Sequence, residues 1–251
     1  MESTDFYFVN FKLIYFYLQD RRYRKIAGAP VRLATEQQLS CERLLSDIIE
    51  KEYALKKEGA RLSRIKRAGM PEQFQIETYP FELQPKLNKK KVMQIYDSMD
   101  YIRQKMNVVL VGPTGCGKSG IGTSLLIQAL NRGYTGKFIT FPELIDDLFK
   151  SIADHSQKKV IHHYASFDCL LVDEIGYLEL DPAQIGLFFT LMSKRHKTKS
   201  TIITSNLGFK DWESVLKNKQ LTAALIDRLT AQCHVINMRE CQSLRHPAKE
   251  T

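Results

Sequence analysis

The sequence predicts an α/β fold: a mostly parallel sheet sandwiched by helices, preceded by a small helical region. Three observations predict it. From about Pro80 onward, short apolar runs alternate with longer segments of helical period. The runs NVVLV, DCLLVD and TIITS are apolar at nearly every inner position, as strands buried on both faces are. The first of them feeds through a glycine-rich turn, GPTGCGKS (Gly112 to Ser119), into a helical stretch.

In chain order, residues 1–37 form an atypical leader, aromatic and basic. Its apolar stretch FYFVNFKLIYFYL (Phe6 to Leu18) is no export signal or membrane span. Glu2 and Asp5 stand where a signal carries positive charge, Asn10 and Lys12 interrupt the run, and it falls short of the roughly 20 residues a span needs. An amphipathic or poorly ordered segment is expected there. Residues 38–79 form a helical, basic region with a linker. Leu44, Leu45, Ile48, Ile49 and Tyr53 recur at helical spacing, with Ser40 as N-cap and Arg43 three residues on. The helix ends in a basic run that includes Lys56, Lys57, Arg61, Arg64, Lys66 and Arg67, and Gly69 and Pro71 stop it. Such a run is either a solvated face or a surface for phosphate backbone.

Residues 80–246 carry the alternating pattern. Strands are predicted at Asn107–Val111, Lys137–Phe141, Asp168–Asp173, Thr201–Ser205 and His234–Met238. Helices are predicted at Lys118–Asn131, Pro142–Ala153 and Pro182–Arg195, with two short ones near Lys210–Leu216 and Leu221–Leu229. Residues 247–251 are a tail. The formal charge of +9 points to anionic partners, nucleic acid first. Five scattered cysteines with no C-x-x-C pair argue against both a disulfide framework and zinc, and fit a protein of the reducing cytoplasm.

Four segments carry chemistry. GPTGCGKS matches G-x-x-x-x-G-K-[ST] between a strand and a helix, the pattern in which backbone N–H groups cradle phosphates at a helix N-terminus. Gly112, Pro113, Thr114, Gly115, Cys116, Gly117, Lys118, Ser119 and Gly120 are its residues. Lys118 would reach the β- and γ-phosphates, and Ser119 would hold Mg²⁺ through its hydroxyl. CLLVDE places Asp173, the expected carboxylate on the magnesium side, at the C-terminal end of a buried strand. Glu174 follows it and would orient or deprotonate the attacking water. TIITSN ends in Asn206, read either as a residue beside the γ-phosphate and the water or as a loop cap. ALIDRL holds Arg228, read either as an arginine finger or as one half of a surface pair with Asp227.

With these segments in order, the chain resembles the IstB and DnaC group of AAA+ ATPases, with IstB the closer match. The resemblance covers about Leu44 to Arg245, through KEYALKKEGARLSRIKRAGMPE, NVVLVGPTGCGKS, DCLLVDEIGYLEL, KSTIITSNLGFKDW and ALIDRL. It implies an ATPase using ATP and Mg²⁺ that multimerises on double-stranded DNA, recruits or activates a cognate transposase and helps choose the target. It implies ATP at interfaces of a homo-oligomer, with Arg228 acting on a neighbour. It also implies a helical insertion along the DNA path, here PELIDDLFKSIADHSQKKVIHHYASF. Lys150, Lys158, Lys159, His162 and His163 are its candidate phosphate contacts, beside Arg64, Lys66 and Arg67 from the basic helix. The chain departs from the family pattern in its first 35 or so residues, and in MRECQSLRHP, where the family's G-E-S-x-R glycine is missing. Arg245 keeps the final arginine of that segment, and no lid domain is expected. A DnaC-like helicase loader, or a DNA-binding remnant without turnover, are the alternatives.

Overall fold

The computed structural model describes residues 41–176 and 178–245. The leader, Ser40 and the tail lie outside them. The chain divides into two compact units after Leu62. Helix α1 (Cys41–Ala68) starts in the first unit, where Ile49, Tyr53, Leu55 and Leu62 are exposed, and ends in the second.

The second unit is built on five parallel strands: β1 (Asn107–Val111), β2 (Gly136–Thr140), β3 (Cys169–Ile175), β4 (Ser200–Ser205) and β5 (Cys233–Asn237), in the order β2-β3-β4-β1-β5. Because successive side chains of a strand face opposite ways, each inner strand feeds two cores. Val108 and Leu110 pack on one face with Leu171 and Ile202, against α4 (Lys118–Asn131) and the end of α1. Val109 and Val111 pack on the other with Leu170, Val172 and Ile203, against α5 (Phe141–Ala153), α6 (Gln157–Ser166), α7 (Pro182–Arg195), α8 (Trp212–Leu216) and α9 (Lys219–Thr230). This two-sided burial is why the strands read as continuous apolar runs.

The predicted sandwich is therefore what forms, with boundaries that differ for local reasons. β2 and β5 start one residue earlier than expected and leave Phe141 and Met238 outside the ladder. Phe141 instead begins α5, because Thr140 caps it and Glu143 reaches back to the Thr140 N–H at 3.1 Å. α7 starts in the same way, with Asp181 and Gln184 as the reciprocal pair. The insertion is two helices, α5 and α6. Asp154 breaks it by accepting from the Ser156 N–H (3.1 Å) and hydroxyl (2.6 Å), a local turn that competes with helix. α2 (Lys89–Ser98) and the one-turn α3 (Asp100–Arg103) had no counterpart in the sequence reading. They are short and broken at Met99, which sits at φ 51, and the first opens on three lysines, so no long period announces them. Among the described residues no further helix follows β5, and none is long and apolar enough to cross a membrane.

One buried charge ties the second core together. Arg195, at the end of α7, is 1% exposed. It donates to the carbonyls of Tyr164 (2.9 Å), Phe167 (2.8 Å) and Ser200, and to the Thr201 hydroxyl (3.0 Å). Burial pulls its pKa down to about 10, so it stays charged at neutral pH. It thereby satisfies the open end of α6 and the entry to β4 at once. Arg195→Met keeps the stem but strands these acceptors, and a loss of about 3 kcal/mol is expected in a urea melt.

Candidate nucleotide site

β1 ends at Val111 and α4 begins at Lys118, with the glycine-rich loop between them at the C-terminal edge of the sheet. Gly115 and Gly117 sit at φ +83 and +87, a backbone state that turns successive N–H groups the same way and that residues with a Cβ avoid. Gly112 is required for a different reason: a Cβ there would meet the Met238 carbonyl oxygen at 2.6 Å. The Lys118 ammonium curls over the loop and donates to the carbonyls of Gly112 (2.8 Å) and Pro113 (2.7 Å). Burial lowers its pKa, and the nearby Cys116, Asp173 and Glu174 work against that.

Asp173 stands across from the loop at the end of β3, 5% exposed. Its Oδ1 accepts from the Ser119 hydroxyl at 2.9 Å and from the Thr204 hydroxyl on β4. Glu174, next in line, is exposed in an otherwise buried strand and sits at φ 66. Both acids thus reach the loop edge, with Thr204 between β3 and β1. Asn206 follows β4, and its Oδ1 is buried against Gly176 without a hydrogen-bond partner. A cleft of about 240 Å³ is lined by these groups, including Lys118, Ser119, Glu174, Thr204 and Asn206.

The structure brings together all the loop residues, Asp173, Glu174 and Asn206, and adds Arg245 at the cleft wall. It sets Arg228 elsewhere. Arg228 ends α9 just before β5, so it lies at the N-terminal edge of the sheet, about 15 Å of strand from the loop. Its neighbours confirm this edge: His196, past the end of α7, contacts the Arg228 carbonyl, and Asn107, the first residue of β1, bonds the Leu229 carbonyl. The guanidinium stacks 4.4 Å over the Phe189 ring, and its Nη1 donates to the Ala224 carbonyl at 3.0 Å. The pairing with Asp227 is not made; the arginine leans on α7 instead.

The charged candidates outside the cleft divide in two. Lys158, Lys159, His162 and His163 are exposed on α6, and Lys66 and Arg67 are exposed at the end of α1. Arg64 is half-buried and donates to the Leu130 carbonyl at 3.0 Å, so it docks α1 on α4. Lys150 pairs with Asp146 at 2.6 Å.

Several site residues had no signal in the sequence. The Tyr79 hydroxyl donates to the Cys116 carbonyl at 2.7 Å, and the Leu244 N–H to the Gly115 carbonyl at 2.9 Å. Glu72 and Phe74 line the cleft, and the Phe74 ring lies against Gly120. Gln84 and Gln242 exchange two hydrogen bonds, at 2.8 and 2.9 Å, that tie the two flanking segments together. Cys116 is buried and its thiol pKa is raised by burial, so it fills space and is not poised as a thiolate.

The donor set suits a nucleoside triphosphate with a hard cation. The glycine loop, the helix N-terminus and Lys118 fit phosphate, and a hydroxyl with one carboxylate fits Mg²⁺, which keeps phosphate and water as its other ligands. Among the described residues no cluster of three His, Cys, Asp or Glu could hold another metal.

Comparisons with known proteins agree on nucleotide binding. A protein of insertion sequence IS232 from Bacillus thuringiensis subsp. berliner, named for ATP binding, is 29% identical over 88% of this chain and 88% of its own. A similarly named protein of IS5376 from Geobacillus stearothermophilus is 27% identical over 84% of each chain. The crystal structure of the DnaC helicase loader shares the fold, with a TM-score of 0.51 and 18% identity over 61% of this chain and 92% of that one. The family profile described as IstB-like ATP binding protein matches residues 22–251, and the chain belongs to that family.

Proposed function

We propose that this protein is a cytoplasmic ATPase that assembles on double-stranded DNA as a homo-oligomer and assists a transposase in insertion-sequence transposition, in target selection and transposase activation. The observation that carries the ATPase reading is the pair Asp173 and Glu174 at the loop edge, one hydrogen-bonded to Ser119 and the other exposed to the cleft. Bound ATP and Mg²⁺ supply the phosphoanhydride and its charge neutralisation. Lys118 gives up its two carbonyl partners to meet phosphate oxygens. Ser119 and Asp173 would hold the cation side, Glu174 would take the proton of the attacking water, and Asn206 would stand beside that water. Arg228 faces away from its own cleft, so it stabilises the transition state of a neighbouring subunit.

The names of the relatives, drawn from insertion sequences, support the transposition reading over a helicase loader. The catalytic residues do not separate the two, so the partner decides: recovery of a replicative helicase in place of a transposase in a pull-down would reverse the choice. The complete residue set at the cleft speaks against a remnant without turnover.

DNA is held through phosphate contacts by Lys158, Lys159, His162 and His163 on α6, with Lys66 and Arg67. Lys150 joins once its weak exposed pair with Asp146 opens, and Arg64 adds charge from its docked position. Counting the six lysines and arginines among them, affinity for duplex DNA should fall on the order of 1,000-fold between 50 and 200 mM salt, with little sequence preference. Lys158→Ala with Lys159→Ala should lower the slope of log K against log salt by about 2. A flat salt response in an anisotropy titration would refute the phosphate-contact reading.

A further inference from the structure

The catalytic glutamate stands on an irregular piece of backbone. β3 pairs with β4 through Val172↔Ile203 and next through Ile175↔Ser205. Asp173 and Glu174 therefore both lie opposite the single residue Thr204, a bulge just before the last pair of a parallel ladder. Glu174 at φ 66 occupies a left-handed region that residues with a long side chain seldom enter. Something must hold it there, and the bulge removes its N–H from the regular ladder. That N–H donates to Thr204 Oγ1 at 2.9 Å.

Thr204 is fully buried, between Ile203 and Ser205 on a strand with apolar neighbours. Its hydroxyl has one proton and accepts from Glu174, so it gives that proton to the carboxylate oxygen Asp173 Oδ1. The same oxygen accepts from Ser119. One hydroxyl thus fixes the rotamer of the acid on the cation side and the backbone of the acid that meets the water.

We propose that Thr204 is the positioning residue of this site: its hydroxyl sets the direction of Asp173 and holds the bulge that projects Glu174 into the cleft. This deepens the ATPase reading above and rests on it. A valine would fill the same buried volume and supply neither bond, whereas a serine would supply both.

The test compares Thr204→Val with Thr204→Ser for three quantities: phosphate release at saturating ATP, the Mg²⁺ concentration for half-maximal binding of a fluorescent ATP analogue, and the melting temperature. Thr204→Val is expected to lose about 100-fold in turnover, from a displaced general base. It should also need about tenfold more Mg²⁺, from a loosened ligand. Thr204→Ser should stay within about threefold of the wild type on both. If Thr204→Val does not fold, Thr204→Cys, close in volume but a poor hydrogen-bonding partner, takes its place. Equal losses in the serine and valine variants, or wild-type turnover and Mg²⁺ dependence in the valine variant, would overturn the proposal. A wild type that binds nucleotide and releases no phosphate would overturn the ATPase reading alone, and the Mg²⁺ shift would still decide the role of Thr204.

Discussion

Lys118→Ala is expected to abolish ATP-dependent assembly on duplex DNA, and Glu174→Gln to lock assembly on. Both follow from where the two side chains stand. The Lys118 ammonium is the positive charge of the loop and donates to the carbonyls of Gly112 and Pro113 at 2.8 and 2.7 Å. Its removal would leave those carbonyls facing the phosphates with no cation between them, and under the proposed function the assembled state would lose the ligand that completes it across subunits. Glu174→Gln has the opposite consequence. It keeps the backbone N–H bond to Thr204 at 2.9 Å, the side-chain volume and the bulge, and removes only the basic oxygen. Turnover should fall by about 10²- to 10⁴-fold, with nucleotide still bound. Sedimentation with ATP and duplex DNA should then give free Lys118→Ala subunits and long-lived Glu174→Gln assemblies. Equal assembly of wild type and Lys118→Ala would reject the mechanism.

Arg228→Ala should cost about 10³-fold in turnover while the affinity of an isolated subunit for ATP stays unchanged. The reason is the sheet itself: the nucleotide cleft and Arg228 lie at opposite ends of the same parallel strands. The arginine cannot serve its own cleft without the strands between them coming apart. An equimolar mixture of Arg228→Ala and Glu174→Gln should therefore regain activity, since about a quarter of randomly formed interfaces pair an intact glutamate with an intact arginine. A mixture as inactive as its components would show that Arg228 has only a structural role on Phe189.

What the sequence disclosed followed the range of the interaction concerned. GPTGCGKS, DCLLVDE and TIITSN were legible because each is one strand and the turn after it, and because strands covered on both faces are apolar at every inner position. Asp173 could be placed for the same reason. The contacts of Tyr79 with Cys116 and of Leu244 with Gly115 were not legible, since no local period announces a bond between residues 37 or 129 positions apart. The bulge left no mark either: nothing in VDEIG says that two residues will face one. Arg228 shows the intermediate case. ALIDRL announced a helix ending in an arginine, and the strand order then determined which edge of the sheet it occupies.

The clasp between Gln84 and Gln242 has a mechanical meaning. The chain entering the sheet and the chain leaving it are knotted to each other by two hydrogen bonds, and each is tethered to a carbonyl of the glycine loop, at Cys116 and at Gly115. The loop thus hangs from both leads of its own domain like a bead on a drawstring. Tyr79 and Cys116 belong to the first core and Leu244 packs against it, so a displacement of either lead would reach the phosphate cradle through that corner of the core.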